Sequence, residues 1–405
     1  MNKIYKTAIV GGGAAGLLCA VELLRGDNAL RGADVVILER NDRVGKKLIA
    51  TGNGQGNISN ASVSEKNYSG NPALVSAFIK GLKTLNLVEY FAELGVITES
   101  DGEGRIYPVS RQANSVLDII RSFLISKNCT VITDFKAVKI SADGEKGFEI
   151  VSEKGDAVLS EKVVLATGGK AAKQFGTDGQ GYSLATAFGH KITPLYPSLV
   201  QLKTEKEPIK GLKGIKERAK VSLLDGKTVV KEATGDLLFT DYGVSGNAVF
   251  KVSDKVAGLI EPALKIDFLP DFSERELAQI IAERVKKGYF PSEDLLNGLV
   301  HKKLGETIVG KHSVIPEELA FKVKNYRLKV SGVMGFDNAQ VTKGGVDGED
   351  VSSATYQSLL VKNLYITGEM LDVDGECGGY NLTFAFVSGI IAAKSIKNSL
   401  DVSKR

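Results

Sequence analysis

A glycine-rich turn between an apolar run and a helical apolar stripe is the feature that most constrains this chain. Residues 8–16 read AIVGGGAAG and place the pattern G-x-G-x-x-G at Gly11, Gly13 and Gly16. The run before the turn predicts a buried strand, and the leucines and alanines after it predict a helix. In such a unit the first glycine permits the turn, the second lets a pyrophosphate approach the backbone, and the third lets the helix pack closely. The helix N-terminus would then face the phosphates of a dinucleotide.

An acidic residue follows the next predicted strand at the spacing that dinucleotide-binding domains use. The apolar run 35–38 ends at Glu39, roughly 20 residues after the glycine pattern, where a carboxylate holds a ribose 2′-hydroxyl. The same carboxylate would repel a 2′-phosphate, which argues against NADP at this position. We therefore expect a dinucleotide with a free ribose at the carboxyl ends of the first two strands.

The composition limits the classes of partner. The 405-residue chain has a formal net charge of +4 with 25% charged residues, so its charge balance indicates neither a nucleic-acid partner nor a membrane surface. Its three cysteines form no C-x-x-C pair and its three histidines are scattered, so no metal site is expected. Sparse cysteines are typical of the reducing cytoplasm, where we expect the protein. No apolar run reaches the roughly 18 residues of a membrane span.

The order of the following elements predicts a doubly wound α/β domain. Helical periodicity covers 71–95 and 114–127. Alternating apolar residues then predict a meander of three short strands, at 135–140, 147–151 and 157–159. A separate β-branched run at 162–166, followed by a glycine turn, predicts a strand that returns the chain to the parallel sheet.

Past Pro194 the alternation of strands and helices stops. We expect an inserted, β-rich substrate domain over 194–330 that carries a small helical subdomain at about 251–320. Its predicted strands are 219–224, 227–231 and 327–330, and its predicted helices are 273–287 and 291–299. An apolar strand at 364–366 and a helix at 382–396 then predict that the first domain, residues 1–193, is completed by 331–405.

Six segments, spread over nearly the whole chain, match one group of bacterial flavoproteins. They are GGGAAGL at 11–17, VGKKLIATGNG at 44–54, ATGG at 166–169, LLFTDYGVSG at 237–246, QVTKGGV at 340–346 and TGEMLDVDGECGGYNLTFAFVSG at 367–389. With them the chain resembles the NAD(P)/FAD-dependent oxidoreductase family that includes aminoacetone oxidase and a dehydro-bile-acid reductase. The last segment is long and distinctive, so the resemblance is specific.

The resemblance implies that FAD lies extended across a glutathione-reductase-like Rossmann domain. The glycine pattern would hold its pyrophosphate, Glu39 its adenosine ribose, and Glu369 its pyrophosphate and ribityl chain. The helix that follows the glycines near residue 379 would point its N-terminus at the flavin pyrimidine ring. The residues implied to contact FAD are Gly11, Gly13, Ala14, Ala15, Gly16, Glu39, Arg40, Lys47, Gly52, Asn53, Gly54, Ala166, Thr167, Gly168, Gly368, Glu369, Gly379, Tyr380, Asn381 and Leu382.

The chain departs from the family pattern at one point. Gln55 and Gly56 replace the Arg-Cys pair that usually follows the TGNG turn, so a guanidinium and a thiol are missing beside the expected flavin. Among the remaining candidates for catalysis, we expect Tyr380 to donate a proton to the substrate. We expect Lys46 to contact an anionic group of the substrate.

The predicted function is hydride transfer between flavin N5 and a small organic substrate. The dehydro-bile-acid branch implies NAD(P)H-linked reduction of an activated double bond. The chain has no second complete G-x-G-x-x-G pattern, so NADH or NADPH would bind only transiently, in the substrate cleft. The alternatives are an oxygen-dependent amine oxidase of the aminoacetone oxidase type, a flavin-binding protein without catalytic role, and a plain NAD-linked dehydrogenase. Substrate identity and oligomeric state stay open.

Overall fold

The computed structural model describes residues 3–26, 28–143, 147–310 and 314–402. These residues form two compact units. The first unit runs up to Tyr196 and resumes at Val341, and the second is Pro197–Gln340. The predicted insertion was 194–330, and the second unit therefore ends later in the chain than predicted, at Gln340.

Strands and helices build both units. The strands are β1 (Ile4–Val10), β2 (Val35–Leu38), β3 (Ser59–Asn60), β4 (Tyr68–Gly70), β5 (Thr98–Ser100), β6 (Arg105–Pro108), β7 (Thr130–Ile132), β8 (Ala137–Asp143), β9 (Gly147–Ser152), β10 (Ala157–Leu165), β11 (Tyr196–Ser198), β12 (Leu202–Thr204), β13 (Lys216–Asp225), β14 (Thr228–Phe239), β15 (Gly243–Ser245), β16 (Pro262–Asp267), β17 (Tyr326–Val333), β18 (Val341–Lys343), β19 (Leu364–Ile366) and β20 (Val373–Gly375). The helices are α1 (Ala14–Leu23), α2 (Lys46–Ile49), α3 (Pro72–Thr84), α4 (Leu87–Glu93), α5 (Ala113–Ser126), α6 (Gln180–Thr186), α7 (Asn247–Ser253), α8 (Glu274–Lys287), α9 (Lys302–Val309), α10 (Pro316–Lys324) and α11 (Tyr380–Val402).

A parallel sheet forms the centre of the first unit. Strands β7, β2, β1 and β10 lie side by side in that order, and β19 pairs with β10. All four residues of β2 and the last four of β1 are buried, as expected for strands covered by helices on both faces. The predicted fold class, a doubly wound α/β domain with an added β-rich part, is confirmed.

One long strand replaces two predicted elements. The sequence separated the third strand of a meander, at 157–159, from a returning strand at 162–166, but both belong to β10. Its first half pairs antiparallel with β9, and its second half pairs parallel with β19. In the structure Lys162 keeps its strand position, and its amine donates to Asn363 Oδ1 at 2.8 Å.

The last helix packs directly on the first. A Cβ added to Gly389 of α11 would meet the main chain of Ala15 in α1, so the absence of a side chain lets the two helices approach. Lys397 of α11 also donates to the buried carboxylate of Glu22 in α1 at 2.7 Å. The C-terminal helix therefore closes the domain that the first strand begins.

The second unit is a closed barrel with helices attached. Its strand order is β12-β15-β14-β13-β16-β17. Strand β16 lies inside the stretch assigned to the helical subdomain, so residues 251–320 are not wholly helical. The predicted helix at 291–299 is also wrong, because only Ser292–Asp294 forms a single 3₁₀ turn. The carbonyls of Leu295 and Asn297 accept hydrogen bonds from the Arg284 guanidinium instead.

Candidate functional site

The carboxyl ends of four neighbouring parallel strands meet at one edge of the sheet. Val10 of β1 is level with Leu38 of β2 and with Leu165 of β10, and Leu165 is level with Ile366 of β19. The residues after these strands are therefore brought together, although they lie far apart in the sequence. They include the glycine turn, Glu39, the 166–168 turn and the 367–369 turn. Ligands of open parallel sheets bind at such an edge.

The glycine turn is shaped by its own main chain and by the neighbouring strand. Gly11 has φ +109°, and a Cβ there would collide with the carbonyl of Ala166. A Cβ on Gly16 would collide with the carbonyl of Gly11. A Cβ on Gly13 would meet nothing within 4 Å among the described residues. Two glycines are thus required by packing, and the middle one borders open space.

Helix α1 begins at this open space. Ala14 is its first residue, and the N-cap, Gly13, offers no side-chain hydrogen bond. The first intrahelical bond runs from Leu17 N to Gly13 O, so the N–H groups before Leu17 are without an intrahelical acceptor. Ala15 is buried beneath them. An uncapped helix N-terminus beside an open glycine is a cradle that fits a diphosphate.

Glu39 lies under the glycine turn at the end of β2. One carboxylate oxygen accepts from Gly12 N at 2.9 Å, and the other accepts from the main-chain and side-chain nitrogens of Asn41 at 2.8 Å. The residue is 6% exposed. A carboxylate has about four lone-pair sites, so these bonds fix its orientation and leave it able to accept from a ribose hydroxyl.

Arg40 and Lys47 both form ion pairs within the protein. Arg40 Nη1 lies 2.7 Å from Asp178 Oδ1, and Lys47 Nζ lies 2.7 Å from Glu369 Oε2. Partial burial works to raise the pKa of Asp178, but hydrogen bonds from Arg40 and from the Gln180 N–H outweigh it and lower that pKa. Charges that were expected near the cofactor are therefore largely neutralised by protein partners.

The turns after β10 and β19 complete this edge. Ala166 N donates to Val10 O at 2.9 Å, and Thr167 Oγ1 lies 3.0 Å from the Met370 sulfur. Gly368 follows β19 with φ +66°, and a Cβ added there would contact the side chain of Ala15. Gly168 also has positive φ, +76°.

A second cluster of predicted residues gathers at the start of α11. Gly52 and Asn53 lie in a 3₁₀ turn with left-handed φ of 58° and 54°, and Gly54 borders open space. Gly379 has φ +97°, and a Cβ there would collide with the main chain of Ser59 in β3. The structure thus gives Gly379 a packing reason for lacking a side chain, in addition to its expected place beside the flavin.

The first residues of α11 fix the loop before it. Asn381 accepts from Gly375 N at 2.8 Å and donates to Gly375 O at 2.7 Å. Tyr380 is buried with its ring edge-on to Tyr68, and Leu382 is half-buried. Burial, together with the nearby Glu376, raises the pKa of Tyr380. Its hydroxyl therefore holds its proton at neutral pH.

Lys46 lies in a different environment. Its amine is 2.7 Å from Asp42 Oδ1, and the Asp42 side chain is 68% exposed. Asp42 precedes α2, so the pair joins a loop carboxylate to the first residue of the helix. An ion pair with so exposed a partner contributes little. The proposed contact of Lys46 with a substrate anion remains a prediction.

The structure also shows residues that the sequence did not single out. Asn57 lies between the 52–54 turn and Gly379, with a buried amide oxygen. Asp372 lines a cavity of about 420 Å³ together with Thr193, Tyr196 and Lys343. Burial raises the pKa of Asp372. Both residues stand in loops without periodicity. Asp372 lies within the matched segment 367–389, but no pattern around either residue indicates its place in the structure.

Two classes of feature are absent from the described residues. No group of three or more His, Cys, Asp or Glu side chains is placed to hold a metal ion. In the same part of the chain, none of the helices combines the length and apolar character that crossing a membrane requires.

Comparison with known proteins gives consistent matches. A family model described as HI0933-like protein Rossmann domain matches residues 5–395. The chain is 37% identical to the 3-dehydro-bile acid delta(4,6)-reductase of Clostridium scindens, over 98% of this chain and 99% of that protein. It is 28% identical to the ribosomal RNA dihydrouridine synthase of Haemophilus influenzae, over 98% and 99%. The structure of 3-ketosteroid-delta4-(5alpha)-dehydrogenase from Rhodococcus jostii RHA1 matches with a TM-score of 0.54 at 15% identity, covering 98% of each chain, which supports the fold alone.

Proposed function

Since this chain belongs to the HI0933-like family of FAD-dependent oxidoreductases, we propose that it reduces a carbon–carbon double bond conjugated to a carbonyl group. The resemblance drawn from the sequence segments is confirmed, and so is FAD as the cofactor. The reaction, its substrate and the residues that carry it belong to this proposal.

The proposal rests on the bond type that two relatives with unlike substrates have in common. A delta(4,6)-reductase of 3-dehydro bile acids saturates double bonds conjugated to the 3-oxo group. Dihydrouridine is uridine whose C5=C6 bond, conjugated to the C4 carbonyl, is saturated. Both relatives match nearly the whole of this chain. An enone is therefore the substrate class that fits both names.

We place the two halves of FAD at the two clusters of the site. The open space at Gly13 and the uncapped start of α1 suit the diphosphate, and Glu39 suits the adenosine ribose. The cluster at the start of α11 suits the isoalloxazine ring. The Lys47–Glu369 pair would then border the cofactor as a neutral unit. Bound FAD supplies a hydride at N5 when it is reduced.

Saturating a double bond takes a proton as well as a hydride. Tyr380 is the proposed donor, because a phenol carries its proton at neutral pH and because this residue opens helix α11. A group that transfers a proton in the transition state contributes typically 10²–10⁴-fold to the rate. NADH or NADPH is the proposed electron source, bound transiently since the chain has no second dinucleotide motif.

The proposed substrate is a small enone of the bile-acid type. A uracil base in RNA is the second candidate, favoured by the 28% identical dihydrouridine synthase. The balanced charge of the chain predicted no nucleic-acid partner, and the name of this relative reopens that question. The greater identity to the bile-acid enzyme, 37%, favours the small molecule.

Anaerobic half-reactions test the proposal. The flavin is first reduced with NADH or NADPH, and the reduced protein is then mixed with a 3-oxo-4,6-diene bile acid or with a uridine-containing ribosomal RNA transcript. We expect the dienone to reoxidise the flavin and to be saturated. Reoxidation by the RNA and not by the dienone would mean that the substrate is a uracil base in RNA. Reoxidation by oxygen alone, with an amine such as aminoacetone as the reductant, would contradict the reductase and support the oxidase.

The same half-reactions examine the proton donor. Tyr380→Phe should slow reoxidation by the enone by roughly 100-fold or more and leave flavin reduction unchanged. Tyr68→Phe is the matched control, because Tyr68 packs edge-on against Tyr380 and its hydroxyl donates to Tyr380 O. Equal slowing by the two variants would mean that Tyr380 acts only through packing.

A further inference from the structure

Asn57 carries an unsatisfied acceptor in a protected place. The residue is 8% exposed, and its Oδ1 is buried without a hydrogen-bond partner among the described residues. Its Cβ lies 3.2 Å from the position that a Cβ of Gly52 would occupy, and its Oδ1 lies 2.8 Å from the corresponding position at Gly379. Asn57 thus stands between the two loops that we assign to the flavin. Leaving a buried polar atom unpaired costs about 1–3 kcal/mol, so such an atom indicates a missing partner.

Hydrogen-bond donors stand next to this acceptor. The first intrahelical bond of α11 runs from Thr383 N to Gly379 O, so the N–H groups of the three preceding residues are without an intrahelical acceptor. The site therefore offers a side-chain acceptor beside main-chain donors. A ligand that fits must present a donor flanked by acceptors.

The pyrimidine edge of oxidised flavin has this order of groups. Its C2 and C4 carbonyls accept hydrogen bonds, and N3–H between them is the only N–H of the oxidised ring. The adenine, ribose and phosphates of FAD are assigned to the other cluster, and the ribityl chain to Glu369. The isoalloxazine edge is therefore the part of the cofactor that can satisfy Asn57.

We propose that the Asn57 amide oxygen accepts a hydrogen bond from flavin N3–H and so makes the site selective for an unsubstituted pyrimidine edge. This inference rests on the proposed placement of FAD. It gives Asn57 a cofactor-binding role that neither the glycine pattern nor the Gln55-Gly56 departure implies.

Titration with two flavins tests it. The full-length chain, freed of flavin, is titrated with FAD and with 3-methyl-FAD, and binding is followed by the quenching of flavin fluorescence. Wild type should bind 3-methyl-FAD roughly 5- to 150-fold more weakly than FAD, because the methyl group removes the donor and leaves the acceptor buried. Asn57→Ala should bind FAD roughly 3- to 10-fold more weakly and should discriminate between the two flavins by about 2-fold or less.

Asn60 supplies a matched control. It is 6% exposed, but its Nδ2 donates to Gly378 O at 3.1 Å and its Oδ1 accepts from Ser62 N at 2.9 Å. Asn60→Ala should lower the melting temperature and keep the wild-type discrimination. Asn57→Asp, which retains an acceptor, should also keep the wild-type discrimination between the two flavins. Asn57→Ala should leave the melting temperature of the flavin-free protein nearly unchanged.

The outcomes separate this inference from the placement on which it rests. If wild type binds FAD but Asn57→Ala discriminates as strongly as wild type, the role of Asn57 is overturned and the FAD site stands. A large fall in the melting temperature of flavin-free Asn57→Ala would also overturn it, because Asn57 would then be held by the protein itself. Failure of wild type to bind either flavin would overturn both.

Discussion

The two ends of the proposed FAD site are built in opposite ways. At the β1–α1 end, the glycine turn and Glu39 belong to one strand–helix–strand unit, and Glu39 is bonded to Asn41 two positions later and to Gly12, 27 positions earlier. At the α11 end, the 52–60 segment meets residues 375–383. The bond from Asn60 to the Gly378 carbonyl joins residues 318 positions apart. The first end is specified by residues within a few tens of positions of one another. The second forms only when folding brings distant segments together.

The same residue type shows this difference at both ends. Gly16 is required because its neighbour is Gly11, five residues earlier in the same turn. Gly379 is required because its neighbour is Ser59 of a distant strand. A pattern of spacings can report the first requirement. It cannot report the second, since no spacing relates the two residues.

The largest expected effect is at the local end. Gly16→Ala places a Cβ against the Gly11 carbonyl at a buried position, where neither main-chain segment can move without disturbing β1. We expect the free energy of unfolding to fall by about 4 kcal/mol or more, with loss of FAD binding. Chemical denaturation and FAD titration measure both quantities.

Gly13→Ala is the matched control, because its Cβ would meet no described atom within 4 Å. Stability should change by no more than about 1 kcal/mol, the scale of an N-cap substitution. FAD should nevertheless bind roughly 10-fold more weakly or worse, because the new methyl group occupies the space meant for the pyrophosphate. Full FAD affinity in Gly13→Ala would remove the diphosphate from this position.

The sequence predicts the strand–turn–helix unit, Glu39 and the doubly wound class because each depends on neighbours within a few tens of residues. It does not predict that Arg40 pairs with Asp178 or that Lys47 pairs with Glu369, since each pair joins different strand ends. The continuous strand β10 was split for a similar reason. Lys162 in its middle donates to Asn363, which lies 201 positions away and is not part of the local pattern.

A substitution at the assembled end should have a smaller and more selective effect. Gly379→Ala combines a φ of +97° with a collision at the Ser59 main chain. We expect a stability loss on the order of 3 kcal/mol and weaker FAD binding. ADP, which lacks the flavin, should bind as it does to wild type, and isothermal titration with both ligands checks this. An equal loss of ADP and FAD affinity would mean that the two ends are not independent.

The smallest expected effect is at Glu39, and unlike the effect of Gly379→Ala it should reach ADP as well as FAD. Losing a charge-assisted bond to the ribose costs roughly 1.5–3 kcal/mol, or about 10- to 150-fold in affinity. Glu39→Ala should weaken ADP and FAD binding equally, because both carry the adenosine ribose. Some stability is lost as well, since the Gly12 and Asn41 N–H groups keep no acceptor. Glu39→Gln has one acceptor oxygen for these two sides, so it should recover only part of the stability and none of the affinity. Asp42→Ala removes a carboxylate three residues away that is 68% exposed and should change neither. If Glu39→Ala lowered FAD affinity and spared ADP, Glu39 would act at the flavin end, and the division of the site into a local and an assembled half would fail.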